Sequence, residues 1–144
     1  MPIVDVMNLR VVTVAPEAAV QKAVERMVSA EVGAVAVCDG ARLVGIFTER
    51  DVLRLAGARA DFDGTPVGAV MTTRLATVSA EDDILEAARL MGERRIRHLP
   101  VVEGENLLGM VGIRDLLGAL AERLWRTHDE QARETVHELL ARRP

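Results

Sequence analysis

The chain repeats itself at a fixed offset of 64 residues, with no gap in the alignment. Residues 6–53 align with residues 70–117, and fifteen of these 48 positions carry the same amino acid. A repeat of this length predicts two copies of one supersecondary unit. The chain has 144 residues, a length that suits one ordinary domain or two half-sized ones. We therefore expect two similar structural units.

Each copy carries the same order of local signals. A short β-branched run comes first, and apolar residues then recur at the i, i+3, i+4, i+7 spacing of a helix with one buried face. Two apolar strands with a glycine turn between them follow, as in a hairpin, and a second helix closes the copy. In the two copies these segments are 13–14 and 75–78, 20–28 and 84–91, 34–38 and 99–102, and 43–47 and 107–111, with last helices from Glu49 and Ile113.

The pattern predicts an α/β (α+β) fold made of two tandem β-α-β-β-α motifs. A copy of about 50 residues buries its sheet and helices poorly when alone. We therefore expect the two copies to pack sheet to sheet with pseudo-two-fold symmetry. Pro16 is suited to the first helical position of copy one, and Ser79 with Asp82 three residues later indicates a helix start in copy two.

The sequence divides into four predicted segments. Residues 57–68 hold three glycines and a proline, the composition of a connector. The tail carries an apolar stripe, and Thr127 with Glu130 is able to cap a separate second helix, so one long helix and two helices both remain open. Such a tail packs more often on its own module or on a dimer partner than on a membrane. The predicted boundaries are 1–60 for the first motif, 61–69 for the linker, 70–118 for the second motif and 119–144 for the helical tail.

Composition disfavours several classes of function. The net charge is −4 and aromatic residues make up 2% of the chain, which argues against binding a nucleic-acid backbone or stacking its bases. Cys38 is the only cysteine, and His128 and His137 lack a third ligand, so we expect no metal site. The first residues do not resemble an export signal and no apolar run approaches 18 residues. These features predict a cytoplasmic protein that does not bind membranes.

Both copies end in the pattern glycine, two hydrophobic residues, two variable residues, Arg-Asp, a hydrophobic residue and leucine, at 45–53 and 109–117. Together with 97–102 (RHLPVV), this pattern resembles the CBS (cystathionine β-synthase) domain over residues 5–118. The resemblance implies a Bateman module, a pair of such domains that acts as a regulatory sensor. It also implies AMP, ADP, ATP or S-adenosylmethionine as the ligand in two clefts, a homodimer, and an unknown regulated protein.

Thr48 and Asp51 are the first candidate pair for ligand binding. A threonine before a helix and an aspartate in its first turn bring together a hydroxyl, free backbone N–H groups and a carboxylate. The first two suit a phosphate, and the carboxylate suits the vicinal hydroxyls of a ribose. The alternative is a helix cap worth about 1 kcal/mol. The recurrence of the aspartate as Asp115 favours ligand binding.

The second copy differs at the hydroxyl position, where Gly112 stands. Arg97 and His98 lie where the family presents basic residues to phosphates, and the family's clefts are shared by the two copies. The resemblance therefore implies that Arg97 and His98 face the cleft of Thr48 and Asp51, which should prefer phosphorylated adenosine. The cleft of Gly112 and Asp115 is then expected to be weak, empty or suited to a less anionic ligand. An ordinary structural role for His98 and an exposed one for Arg97 remain the alternatives.

Five further residues belong to the candidate set. Arg50 and Arg114 recur in the first turns of the last helices, at the rim of a cleft or in surface ion pairs. Thr13 and Thr77 stand where the family lines the adenosine pocket partly with backbone groups, but they are also good strand formers. Pro100 belongs to the same motif as Arg97 and His98.

Three classes of function follow. We favour a nucleotide-sensing regulatory protein without catalysis. An enzyme is disfavoured because the sequence contains no nucleophile-base pair, Walker loop or Cys/His metal cluster. The third class is an interaction or scaffold protein with vestigial clefts, whose C-terminal helix mediates oligomerisation or partner docking.

Overall fold

The computed structural model describes residues 1–127 and 130–141. Within that part of the chain the fold is mixed α/β, with five strands, five α-helices and two short 3-10 turns, and the predicted fold class is confirmed. The strands are β1 (Thr13–Val14), β2 (Ala34–Asp39), β3 (Arg42–Thr48), β4 (His98–Glu103) and β5 (Asn106–Gly112). The helices are α1 (Val20–Ala30), α2 (Glu49–Gly57), α3 (Ile84–Arg94), α4 (Ile113–Thr127) and α5 (Glu130–Ala141).

The chain forms two compact units, each discontinuous in sequence. The copy-one unit consists of Arg10–Leu75 and Gly104–Leu107. The copy-two unit consists of Met1–Leu9, Ala76–Glu103 and the described residues from Leu108 to Ala141. The domain boundaries given by the repeat stay a prediction, because compactness does not define the limits of a repeated motif.

In the copy-one unit, β2 is the central strand. It pairs in parallel with β1 and antiparallel with β3. The turn between β2 and β3 uses Gly40 at φ 61°, a left-handed conformation that glycine adopts without steric cost. At the far end of β3, Arg42 pairs with Asn106. The predicted hairpin is thus present, and it brings the end of β3 at Thr48 to the start of α2.

The copy-two unit has the same parallel pairing, but the counterpart of β1 is a single bridge residue, Val78. Val78 pairs in parallel with Val101, as Val14 pairs with Val37 at the equivalent positions. In copy one, the Ala36 N–H also donates to the Val12 carbonyl at 3.1 Å. Its equivalent in copy two is Pro100, which has no N–H to donate. The shorter pairing in copy two follows from that proline.

Each unit has its own hydrophobic core, and most residues of the predicted helical stripes point into it. The exception is Val28, which the sequence places on the buried face of α1 and which is 72% exposed at the end of that helix. In both copies the central strands contribute fully buried valines or leucines, and helix residues at the predicted spacing pack against them. Buried helix and strand residues are Val20, Ala23, Met27, Val35, Val37 and Phe47 in the copy-one unit, and Ile84, Ala87, Ala88, Met91, Leu99 and Val101 in the copy-two unit.

The glycine that opens each repeated motif is required by a close backbone approach. Ile46 and Thr72 exchange backbone hydrogen bonds, and Met110 and Asn8 do the same in the copy-two unit. A Cβ on Gly109 would lie 2.8 Å from the Asn8 carbonyl oxygen, closer than nonbonded atoms tolerate. The glycine is therefore a packing requirement, separate from any ligand.

Helix α1 begins at Val20, so the prediction that Pro16 opens this helix is wrong. The N–H groups at its start are satisfied by the connector: Val20 donates to the Thr65 carbonyl at 2.8 Å, and Gln21 donates to the Phe62 carbonyl at 2.9 Å. These long-range acceptors have no signature in the local sequence. The connector is consequently part of the copy-one unit.

Helix α3 begins at Ile84, later than the Ser79 signal indicates. The Ser79 N–H does donate to the Asp82 carboxylate at 2.9 Å, but this bond closes a turn ahead of the helix. The cap itself is Asp83, whose carboxylate accepts from the Leu85 N–H at 2.9 Å. The sequence signal at Ser79 therefore predicts a helix start in the correct region, but the capping residue is Asp83.

The described part of the tail contains two helical segments. Helix α4 runs to Thr127 and α5 starts at Glu130. A break between two helices would fall at His128 and Asp129, which lie outside the described residues, so it stays a prediction. Helix α5 packs on α3 and α4 of the same unit. Ala132 is fully buried there, and Val136 is partly buried against the same core. The tail thus completes the core of the copy-two unit.

Replacing Asp83 with alanine is expected to lower the free energy of unfolding by about 1 kcal/mol, because the Leu85 N–H loses its acceptor. Asp83→Asn keeps the cap and is the matched control. Urea denaturation followed by circular dichroism measures both variants. Equal stability of the wild type and Asp83→Ala would contradict the assignment of the cap.

The Asp83 cap also predicts a pH dependence. Burial alone would raise the pKa of Asp83, but the Leu85 N–H, the amino terminus of Met1 and the Arg123 guanidinium outweigh it and lower that pKa. A carboxyl group with a lowered folded pKa stabilises the protein above its ordinary pKa and loses this contribution as the pH falls through the folded value. The stability difference between wild type and Asp83→Asn should therefore be constant above about pH 5 and shrink as the pH falls from there to below the lowered folded pKa.

Candidate ligand-binding site

The junction between β3 and α2 holds the first predicted pair, Thr48 and Asp51. The Asp51 carboxylate reaches back over the helix start, where its Oδ2 accepts from the Thr48 N–H at 2.9 Å and from the Thr48 hydroxyl at 3.2 Å. The Glu49 N–H donates to the Gly33 carbonyl at 3.0 Å, which fixes the junction to the start of β2. The pair therefore forms a capping box. The Thr48 hydroxyl has one proton, and it points to Asp51.

Arg54 occupies the other oxygen of Asp51. Its guanidinium donates to Oδ1 at 2.9 Å. The Asp51 side chain is 6% exposed, whereas that of Arg54 is 63% exposed. Arg54 is a site residue that the sequence motif does not include, although its i, i+3 spacing from Asp51 is a recognisable signal for a helix ion pair. Both carboxylate oxygens of Asp51 thus have donors within the copy-one unit.

The equivalent junction in the copy-two unit joins β5 to α4 and is more open. The Ile113 N–H donates to the Arg97 carbonyl at 2.8 Å, repeating the bond between Glu49 and Gly33. The Gly112 N–H donates to Asp115 Oδ2 at 3.3 Å, and Asp115 is exposed. Gly118 stands at the position of Arg54. Among the described residues, no arginine forms an ion pair with Asp115.

Arg97 and His98 contribute to this second junction. A Cβ built on Gly112 would lie 3.9 Å from the Arg97 carbonyl oxygen and 3.9 Å from the His98 ring carbon Cδ2. The imidazole of His98 therefore borders the Gly112 position, close to Asp115. Whether the two basic residues also serve Thr48 and Asp51, as the resemblance implies, stays a prediction.

The remaining candidates lie at or near the same strand ends. Arg50 and Arg114 are exposed in the first turns of α2 and α4. Thr77 is exposed and precedes Val78, which pairs with Val101 of β4. The Thr13 carbonyl accepts from the Arg26 guanidinium at 2.7 Å. Pro100 is buried, and its carbonyl accepts from the Val78 N–H at 3.1 Å. The ligand-binding role of these five residues stays a prediction.

Other chemistry has little support in the described part of the chain. Burial raises the pKa of the Cys38 thiol, which disfavours the nucleophilic thiolate. Residues 1–127 and 130–141 contain no cluster of three or more His, Cys, Asp or Glu side chains placed to hold a metal. No helix in those ranges is long and apolar enough to cross a membrane. His137 is exposed on α5, and His128 lies outside the described residues.

The model of one protein family, the CBS domain, matches the chain twice, over residues 3–57 and 67–122. The chain belongs to the CBS domain family. Each match contains one strand-to-helix junction, so Asp51 lies in the first CBS domain and Asp115 in the second. The sequence-based recognition of a tandem CBS pair is confirmed.

Known CBS proteins of similar size support this assignment. The CBS domain-containing protein YhcV of Bacillus subtilis is 36% identical over 112 residues, which are 78% of this chain and 80% of the relative. The CBS domain protein PAE2072 of Pyrobaculum aerophilum, solved in complex with AMP, is 26% identical with a TM-score of 0.76, covering 85% of this chain and 99% of that one. The CBS domain pair of MJ0100, solved with 5′-methylthioadenosine and S-adenosyl-L-methionine, shares the fold at 18% identity, a TM-score of 0.79 and coverage of 85% and 98%.

The two aspartates of the CBS pair should differ in their contribution to stability. Asp51→Ala is expected to lower the free energy of unfolding by about 2 kcal/mol, because a buried carboxylate that accepts the Thr48 N–H and hydroxyl is lost. Asp115→Ala is expected to cost about 0.5 kcal/mol, since Asp115 is exposed and accepts one longer bond. Urea denaturation without ligand measures both. Equal losses would contradict the difference between the two junctions.

Proposed function

We propose that the chain is a non-catalytic regulatory sensor that binds an adenosyl ligand and modulates a partner protein. CBS pairs are generally regulatory modules without catalysis of their own, and a CBS relative of similar size is known in complex with AMP. The candidate ligands are AMP, ADP, ATP and S-adenosylmethionine. We further propose that the protein is cytoplasmic and that it acts as a homodimer. The protein that it regulates is a separate polypeptide chain.

The observation that carries the proposal is the matched pair of strand-to-helix junctions, each with an aspartate in the first turn of the helix. A carboxylate accepts the two hydrogen bonds that a ribose diol donates. Backbone N–H groups at a helix start favour an anionic phosphate. At the second junction, Asp115 is exposed and His98 borders it. A nucleoside with or without phosphate therefore matches the chemistry of the junction.

One observation favours a scaffold as the second candidate. The Asp51 carboxylate is already engaged by Thr48 and Arg54, as expected for a cleft that has lost its ligand. A scaffold would bind its partner through an exposed surface. Trp125 of α4 is 87% exposed, and aromatic residues are enriched in protein interfaces, so it is the candidate contact residue.

A ligand screen by thermal shift, followed by isothermal titration, separates these candidates. We expect at least one of AMP, ADP, ATP and S-adenosylmethionine to raise the melting temperature, since a ligand at 100 times its Kd adds about 2.7 kcal/mol of stability. GMP at the same concentration is the control for nonspecific anion effects. No shift and no binding heat with any adenosyl compound would overturn the sensor and favour the scaffold.

A further inference from the structure

The helix pair of copy two carries a third helix that copy one lacks. In the copy-two unit, α5 packs on α3 and α4, and its Ala132 belongs to the same buried cluster as Ala88 of α3 and Leu120 of α4. The copy-one unit contains α1 and α2, the counterparts of α3 and α4, and no third α-helix among its described residues. The surface that α5 covers in copy two therefore has no covering helix within the copy-one unit.

Burial at the equivalent positions agrees with this difference. Ala88 and Leu120 are both fully buried in the copy-two unit. The residues 64 positions earlier are Val24 on α1 and Ala56 on α2. Val24 is half-buried and Ala56 is exposed. Two positions that are closed in copy two are thus open to solvent in copy one.

Two larger apolar side chains lie beside these open positions. Val28 comes one helical turn after Val24, on the same side of α1, and it is 72% exposed. Leu53 precedes Ala56 by three residues on α2 and is 75% exposed, whereas its counterpart Leu117 is half-buried. Single exposed apolar residues are common, but these two lie beside the positions that are buried together with α5 in the other copy. We call four residues the bare face: Val24, Val28, Leu53 and Ala56.

The charge beside the bare face does not match α5. On α3, Glu86 is the main cause of the raised pKa of Arg89, and Glu93 and the α5 residue Glu138 add to it. Glu138 is therefore on the side of α5 that faces the Arg89 guanidinium. The counterpart of Arg89 in copy one is Glu25, which is exposed. A helix with the charges of α5 would bring a carboxylate against Glu25, and like charges disfavour such a contact.

The bare face also differs from the α5 contact surface in the size of its side chains. At the positions of Val24 and Val28, copy two has Ala88 and Gly92. The distance between two packed helices depends on the side chains at their contact, so two valines hold a helix further from α1 than α5 lies from α3. The size and the charge together argue against α5 of a second copy as the occupant of this face.

We propose that the bare face docks an amphipathic helix of another protein, with an apolar stripe like that of α5 and a basic residue where α5 carries Glu138. The position of α5 in copy two supports a helix as the occupant, and Glu25 supports a cation on it. The inference rests on the proposed regulatory function, because it names the surface through which the sensor contacts the protein that it regulates.

Two synthetic helices serve as probes. One has the sequence of Glu130–Ala141, and the other has the same sequence with Glu138→Arg. Because an isolated helix of this length is marginal in water, both carry a covalent staple between positions 133 and 137, whose side chains are exposed on α5. Fluorescence anisotropy of the labelled peptides measures binding to the full chain. We expect the Glu138→Arg peptide to bind at least about tenfold more tightly than the peptide with the natural sequence.

Three substitutions locate the binding surface. Val28→Ser and Leu53→Ser remove apolar contacts without adding charge, and each should weaken binding of the Glu138→Arg peptide at least about tenfold. Leu9→Ser is the matched control, since Leu9 is 70% exposed and lies in the copy-two unit, and it should leave the affinity unchanged. Glu25→Arg should reverse the preference, so that the natural α5 sequence binds more tightly. Circular dichroism checks that each variant keeps its helix content.

The contrary results are specific. Equal affinities of the two peptides for the wild type, or undiminished binding to Val28→Ser and Leu53→Ser, would overturn the proposal. Light scattering that shows a wild-type dimer and a Leu53→Ser monomer would also overturn it, because the occupant would then be a second copy. The titrations contain no adenosyl compound, so they test docking apart from sensing. Peptide binding without any adenosyl binding would sustain the docking surface and remove the sensor, and the opposite pair of results would do the reverse.

Discussion

In each copy, one hydrogen bond fixes the junction between the last strand and the last helix. The backbone N–H of the residue before the helix donates to an aspartate in the first turn of the helix. The donors are Thr48 and Gly112, and the acceptors are Asp51 and Asp115. This bond satisfies a helix N–H that would otherwise lack a partner, and it holds the carboxylate against the end of the strand. The next N–H groups, those of Glu49 and Ile113, donate to the Gly33 and Arg97 carbonyls, so the free backbone donors that the sequence predicts at the helix start are engaged at these two positions in each copy.

The repeat contains two such junctions, and their side chains give them different properties. In copy one, a hydroxyl and a guanidinium satisfy the carboxylate from within the unit, and the result is a stable helix cap. In copy two, both positions are glycine, and among the described residues the Asp115 carboxylate, which is exposed, accepts from the Gly112 N–H. The aspartate is therefore expected to contribute more to stability in copy one than in copy two.

The sequence predicted most of the fold because the repeat supplied each element twice. The hairpins, the buried helix faces and the starts of α2 and α4 depend on local patterns, and these predictions agree with the structure except at the exposed Val28. The start of α1 was wrong because its first N–H groups bond to Phe62 and Thr65, which are more than 40 positions away in sequence. Local capping signals do not contain such tertiary acceptors.

The candidate site was predicted in part. The spacing of Thr48 and Asp51 correctly indicated a junction with a carboxylate and a hydroxyl, but it did not show that the hydroxyl donates to the carboxylate itself. Arg54 lies one helical turn beyond the Arg-Asp pair of the motif, so the motif itself does not indicate its ion pair with Asp51. Availability of an acceptor depends on all its donors, which only the three-dimensional arrangement reveals.

A crystal structure of the protein with AMP tests the central claim most directly. We predict AMP at a strand-to-helix junction, with its ribose hydroxyls within hydrogen-bond distance of the Asp51 or the Asp115 carboxylate. AMP bound away from both aspartates, or a crystal grown with AMP that contains none, would contradict this claim.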